Sequence, residues 1–129
     1  MQTNIALLVD DDDDFRRLFS EVLHEEGYSV VEASNGVEAI SALDRIRPDV
    51  ILIDLVMPHM DGRALFAWLR KRPDFRAVPV VFLTAVPTLA PIGASMTIAK
   101  PLGLSNLTRL LDAIRLSSKP EPERRRDEN

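Results

Sequence analysis

The chain has 129 residues, one domain's worth and enough for a single continuous core. Apolar residues make up 46% and charged residues 28%, and the formal charge of −4 is concentrated in the unbroken run Asp10 to Asp14, which argues against a basic nucleic-acid-binding surface. The absence of cysteine excludes disulfides and thiolate metal sites, and no apolar run reaches the length of a membrane span; a cytoplasmic protein without membrane contact is the expectation.

Taken in order, the chain alternates strand and helix. Ile5 to Val9 is a short apolar run, read as a buried strand, and it ends at Asp10 and Asp11. Phe15, Leu18, Phe19, Val22 and Leu23 recur at helical spacing until Gly27 stops the helix. Tyr28 to Ala33 is a second strand. Asn35-Gly36 makes a turn, and Val37, Ile40, Leu43 and Ile46 predict one face of a second helix closed by Pro48. Val50 to Ile53 is apolar and mostly β-branched, a fully buried strand that runs directly into Asp54. Asp61-Gly62 then opens a third helix through Leu65, Phe66, Trp68 and Leu69, with Pro73 ending it. Val78 to Leu83 predicts a fourth strand running into Thr84, and Met96 to Ala99 a fifth running into Lys100-Pro101. Ser105 is read as the cap of a last helix marked by Leu107, Leu110, Leu111 and Ile114.

Strands alternating with helices imply right-handed βαβ units and a parallel sheet covered on both faces. With the flavodoxin-like, doubly wound order 2-1-3-4-5, the carboxyl ends of four strands bring together Asp10, Asp11, Asp54, Thr84 and Lys100 at the switch point of the sheet. Carboxylates at close range repel and raise one another's pKa unless a cation sits between them, so this convergence points to function more than to structure.

The segments Leu7-Leu8-Val9-Asp10-Asp11, Asp54-Leu55-Val56-Met57-Pro58-His59-Met60-Asp61-Gly62, Thr84-Ala85 and Lys100-Pro101 resemble, in order and each at a strand end, the signatures of the receiver domain of bacterial two-component response regulators. The resemblance runs from about Ile5 to Leu116. It implies that Asp54 accepts a phosphoryl group from the phosphohistidine of a sensor histidine kinase or histidine phosphotransfer protein. It also implies that Asp10, Asp11, Asp54 and the backbone carbonyl of Val56 bind Mg²⁺ (or Mn²⁺), that Thr84 and Lys100 contact the phosphoryl oxygens, and that a cis peptide precedes Pro101. Bringing a dianion to an acidic pocket explains the need for a hard, oxygen-liganded cation.

Several neighbouring residues have structural readings. Asp12, Asp13 and Asp14 fit the acidic first turn of a helix, favoured by its dipole, and Asp61 fits an N-cap. His24 and His59 read as surface and loop residues, Trp68 and the phenylalanines as core, and Arg124-Arg125-Arg126 as part of a solvated tail. Residues 1–117 are therefore expected to form the receiver and 118–129 a disordered charged tail or the start of a linker.

Three features depart from the family pattern. Only fifteen residues separate Thr84 from Lys100, and they include Pro87, Pro91 and Gly93, so the fourth helix is expected to be short or replaced by a loop. Thr97 stands where receivers typically carry the switch aromatic, which puts coupling through a rotating ring in question. Val56 and Val86 stand where the family often places polar side chains that position the hydrolytic water, and a long-lived phosphoaspartate follows as an expectation. The leading functional expectation is a phosphorylation-controlled module that switches a surface for an unidentified protein target, without catalytic turnover in the usual sense. A phosphorelay or phosphate-sink carrier and a degenerate receiver serving as a constitutive scaffold are the alternatives, and self-association is left open.

Overall fold

Side-chain alternation along five consecutive apolar strands decides the architecture. A computed structural model of the chain describes residues 4–57, 60–84, 93, 94, 96–100, 109 and 112. Its strands are β1 (Asn4–Val9), β2 (Tyr28–Ala33), β3 (Val50–Asp54), β4 (Val80–Thr84) and β5 (Met96–Ala99), and its described helices are α1 (Asp13–Glu25), α2 (Gly36–Leu43) and α3 (Gly62–Arg70). The strands form one parallel sheet in the order β2-β1-β3-β4-β5, the order expected from the βαβ pattern. The central strand β3 is buried along its whole length, so its residues feed two layers at once. Leu7, Val9, Ile51, Ile53, Val80 and Phe82 pack on one face with Ala39, Ala42 and Leu43 of α2 and Leu65, Phe66 and Leu69 of α3. Ala6, Leu8, Val50, Leu52, Val81 and Leu83 pack on the other with Phe19 and Leu23 of α1.

Each described helix starts where a short polar side chain satisfies free backbone N–H groups. Asp12 accepts from the N–H groups of Asp14 and Phe15, Asn35 from Glu38, and Asp61 from Ala64. The acidic run is thus a cap followed by Asp13 and Asp14 in the first turn of α1, and neither of these two joins the metal-sized cluster described below. Gly27, at φ +100°, takes the left-handed conformation that turns the chain out of α1 into β2.

Some boundaries and faces differ from the sequence reading. Leu18 and Val37, counted as apolar-face residues, are 64% and 58% exposed. In α2 the face that meets the sheet is made by the smaller Ala39 and Ala42 with Leu43; the helix ends there, and Ile46 reaches the core from the connection that follows. Strand β4 begins at Val80 because Val78 is still held in a turn by Phe75 and Pro79 has no N–H to give to a ladder. His24 is exposed, as expected, while Phe19, Phe66, Phe75 and Phe82 are core. No helix among the described residues is long and apolar enough to cross a membrane. Pro58, His59, residues 85–92, Pro101 and the tail lie outside the described residues, as does the last helix apart from Arg109 and Asp112, which are helical.

Candidate functional site

The parallel register delivers the polar residues to one end of the sheet. Asp10 follows β1, Asp54 closes β3, Thr84 closes β4 and Lys100 follows β5, with Asp54 in register beside Leu83 and Thr84 beside Ala99. The Lys100 N–H donates to the Thr84 carbonyl at 2.8 Å, which carries the ladder one residue past β5 and turns the lysine into the cleft. Asp10 and Thr84 are almost fully buried and Asp54 is 8% exposed, whereas Asp11 stands at the surface of the cleft.

Asp10, Asp11 and Asp54 each offer one carboxylate oxygen, and these oxygens lie within 4.8 Å of one another. Lys100 bridges the group from the far wall. Its Nζ is 2.6 Å from Asp10 Oδ2 and 3.9 Å from Asp54 Oδ2, and it lies 4.2 Å from the centre of the Phe15 ring. The short contact to Asp10 leaves Asp54 the less compensated of the two buried carboxylates. Removal from water pushes the Asp54 carboxyl up to about 7, the Asp10 charge and then Asp11 push the same way, and Lys100 opposes them. A carboxyl poised between its acid and its ionised form near neutral pH is a property of this arrangement and not of aspartate in general.

The donor set fits a hard divalent cation. It is made of carboxylate oxygens, one of them on the fully buried Asp10, and a second positive charge beside Lys100 would relieve the repulsion that raises Asp54. Val56, two residues beyond Asp54, is 61% exposed. Gly62 makes close approach possible here. A Cβ on it would lie 2.5 Å from the Asp54 carbonyl oxygen and 2.8 Å from the Leu55 Cα, and its N–H donates to the Leu55 carbonyl.

Of the residues singled out from the sequence, Asp10, Asp11, Asp54, Thr84 and Lys100 converge as expected, and Val56 follows Asp54 by two residues as an exposed side chain. Val86 and Pro101 lie outside the described residues, and Thr97 is a half-exposed residue of β5 paired with Phe82. Two contributors were not anticipated. Phe15 carries the lysine on its ring, a role its helical spacing could not distinguish from core packing. Arg16 donates to the Asp10 carbonyl, and only its position early in the helix after the acidic pair could have signalled it.

Comparison with known proteins follows the same lines. Residues 6–112 match the family model of the response regulator receiver domain. A probable transcriptional regulator, ycf27, of Porphyridium aerugineum is 34% identical over 113 residues, covering 83% of this chain and 46% of its own length. The polar-differentiation response regulator DivK of Brucella anthropi is 32% identical over 80 residues, covering 62% of this chain and 65% of that protein. The chain spans about half the length of the curated transcriptional regulators it matches. Among solved structures, the chemotaxis response regulator CheY4 of Vibrio cholerae superposes with a TM-score of 0.77 at 28% identity, covering 88% of this chain and 99% of that one. A sensor histidine kinase receiver domain from Pseudomonas aeruginosa, solved with a magnesium ion coordinated in its active-site cleft, gives 0.79 at 27% identity, covering 92% and 100%.

Proposed function

The chain belongs to the response regulator receiver domain family, whose members are phospho-acceptors, and from that premise we propose that Asp54 is the acceptor in this chain. The observation that carries the assignment is the cluster itself: of the three carboxylates, Asp54 is the one at the end of the central strand, with an oxygen facing Lys100 but not held by it at hydrogen-bond distance. Asp10 and Asp11 with Asp54 and the Val56 carbonyl would hold Mg²⁺. A bound Mg²⁺ supplies charge neutralisation for the incoming phosphoryl oxygens. The donor is the phosphohistidine of a sensor histidine kinase or a histidine phosphotransfer protein; the Asp54 carboxylate oxygen attacks phosphorus as the P–N bond breaks and the imidazole leaves with a proton from solvent.

The chain's own residues account for the rest. Lys100, placed 3.9 Å from Asp54, can meet a phosphoryl oxygen after a small movement while keeping its contact to Asp10. Thr84, at the end of the neighbouring strand, supplies a hydroxyl to a second oxygen, and its inward displacement is the switch. That displacement is the output, read by a protein target. With Thr97 in place of an aromatic ring, it is not transmitted by a rotating aromatic side chain in β5. Val56 offers no hydrogen bond to orient an attacking water, so the acyl phosphate is long-lived.

The test is incubation with acetyl phosphate and Mg²⁺, read by intact mass, on wild type and Asp54→Asn. One phosphoryl adduct that needs both Asp54 and Mg²⁺ is expected. An adduct that persists in Asp54→Asn would overturn the assignment, and no adduct in wild type would favour a constitutive scaffold.

A further inference from the structure

Arg16 lies six residues beyond Asp10 on the side of α1 that faces the sheet, with its side chain 15% exposed. Its guanidinium reaches three separate acceptors. Nη1 donates to the Asp10 carbonyl at 2.6 Å, Nη2 to Asp13 Oδ1 at 2.7 Å and Nε to Glu32 Oε1 of β2 at 3.0 Å. A guanidinium holds its donors in one rigid plane, so three acceptors on three segments fix its place and, through it, fix each of them. Burial alone would disfavour the charged form, yet the bonds to Asp13 and Glu32 hold the guanidinium pKa above its ordinary value.

The carbonyl that Arg16 grips belongs to the peptide joining Asp10 to Asp11, two of the three residues of the acidic cluster. Asp10 is held from other sides as well: its N–H donates to the Ala33 carbonyl at 3.0 Å, and its Oδ1 accepts from the Asp12 N–H at 2.9 Å. Asp11 differs. It is exposed, so packing does not aim its carboxylate, and the orientation of its Cα–Cβ bond follows the peptide that precedes it. We propose that Arg16 is a positioning residue for the cation site: by clamping the Asp10–Asp11 peptide against β2 and the first turn of α1, it directs the Asp11 carboxylate toward Asp10 and Asp54. The inference rests on reading these carboxylates as cation ligands.

Charge alone predicts the opposite sign. A guanidinium near the cluster repels a divalent cation, so deleting it should tighten binding if electrostatics were its only influence. Deleting a clamp should loosen binding, by about tenfold for an outer residue that orients a ligand. The experiment measures Mn²⁺ affinity from the electron paramagnetic resonance signal of the free ion, with Mg²⁺ in competition, on the full chain as wild type, Arg16→Lys and Arg16→Gln. Near-ultraviolet circular dichroism reports the folded fraction of each. The expected order is wild type tightest, Arg16→Lys intermediate because an ammonium can still donate to the Asp10 carbonyl, and Arg16→Gln weakest, about tenfold below wild type. Equal affinities in the folded proteins, or tighter binding by Arg16→Gln, overturn the clamp. Should Arg16→Gln not fold, Arg16→Lys decides alone: weakening supports the clamp and wild-type affinity overturns it. No Mn²⁺ binding by wild type overturns the reading of the cluster, and the inference with it.

Discussion

At the carboxyl ends of the strands, Asp10, Asp11 and Asp54 crowd three carboxylate oxygens within 4.8 Å of one another, whereas toward the amino ends Arg47, Arg70 and Arg72 each lie over an aromatic ring. In the second region attractive contacts dominate: Trp68 stacks on buried Phe75, Arg47 lies 5.3 Å from the Phe75 ring and 3.8 Å from Asp74, and Arg70, whose charge burial disfavours, lies over Phe66 and donates to the Val78 carbonyl. In the first region like charges are held together by Lys100 and by backbone that tolerates no Cβ at Gly62. The same strands thus carry like-charge repulsion at one end and ordinary packing at the other. Substitutions at the two ends should separate stability from phosphoryl acceptance.

The sharpest separation is expected from Phe75→Ala. Emptying a buried ring site costs about 3–4 kcal/mol in urea unfolding, while the rate of modification by acetyl phosphate in the folded protein stays unchanged. A slowed acceptor would mean the two ends are coupled. Gly62→Ala should cost about 2–3 kcal/mol, because the added methyl meets backbone at 2.5 Å, and it should also slow phosphorylation by displacing Asp54. Gly36→Ala is its control. There the methyl meets Met60 at its Cγ, Cβ and Sδ, 2.7–2.8 Å away; the Cβ can yield only with its backbone, so the loss should be about 1–2 kcal/mol, but with the rate of phosphorylation unchanged.

Asp54→Asn should do the reverse and stabilise the cation-free protein. An Asp54 carboxyl raised to about 7 binds its proton more tightly folded than unfolded, so its contribution falls as pH climbs from the unfolded value of 3.8 through the folded one. The variant should gain about 1–2 kcal/mol at pH 8 after allowance for solvent at the cleft, and nothing near pH 3. Thermal melts across that range in a chelator check this, and a constant difference at all pH values would contradict it. The smallest effect is expected from Arg72→Ala, about 0.5 kcal/mol for an exposed cation over Trp68, visible chiefly as a change in tryptophan emission.

Most of the architecture was legible because apolar runs, caps and turn residues agree with one another. Val50 to Asp54, apolar and mostly β-branched, reads as a buried strand with a polar end, and Asp61-Gly62 announces the helix that follows. The convergence of Asp10, Asp11, Asp54, Thr84 and Lys100 followed from strand order alone. What escaped was decided by three-dimensional proximity. Leu18 has the spacing of a core residue yet is exposed, since periodicity marks a face and not what covers it. Arg16 reads as a surface charge in a run of charged residues until the end of β2 brings Glu32 beside it.

The bond between Lys100 and Asp10 spans ninety positions of the chain. Synthesis runs from the amino terminus, so both buried carboxylates and all five strands are made before the ammonium that compensates them. A nascent chain that has not yet reached Lys100 carries its acidic cluster without that charge. The compensated cleft is therefore complete only once the chain has passed β5, and a fragment ending before Lys100 would leave both buried carboxylates without their ammonium.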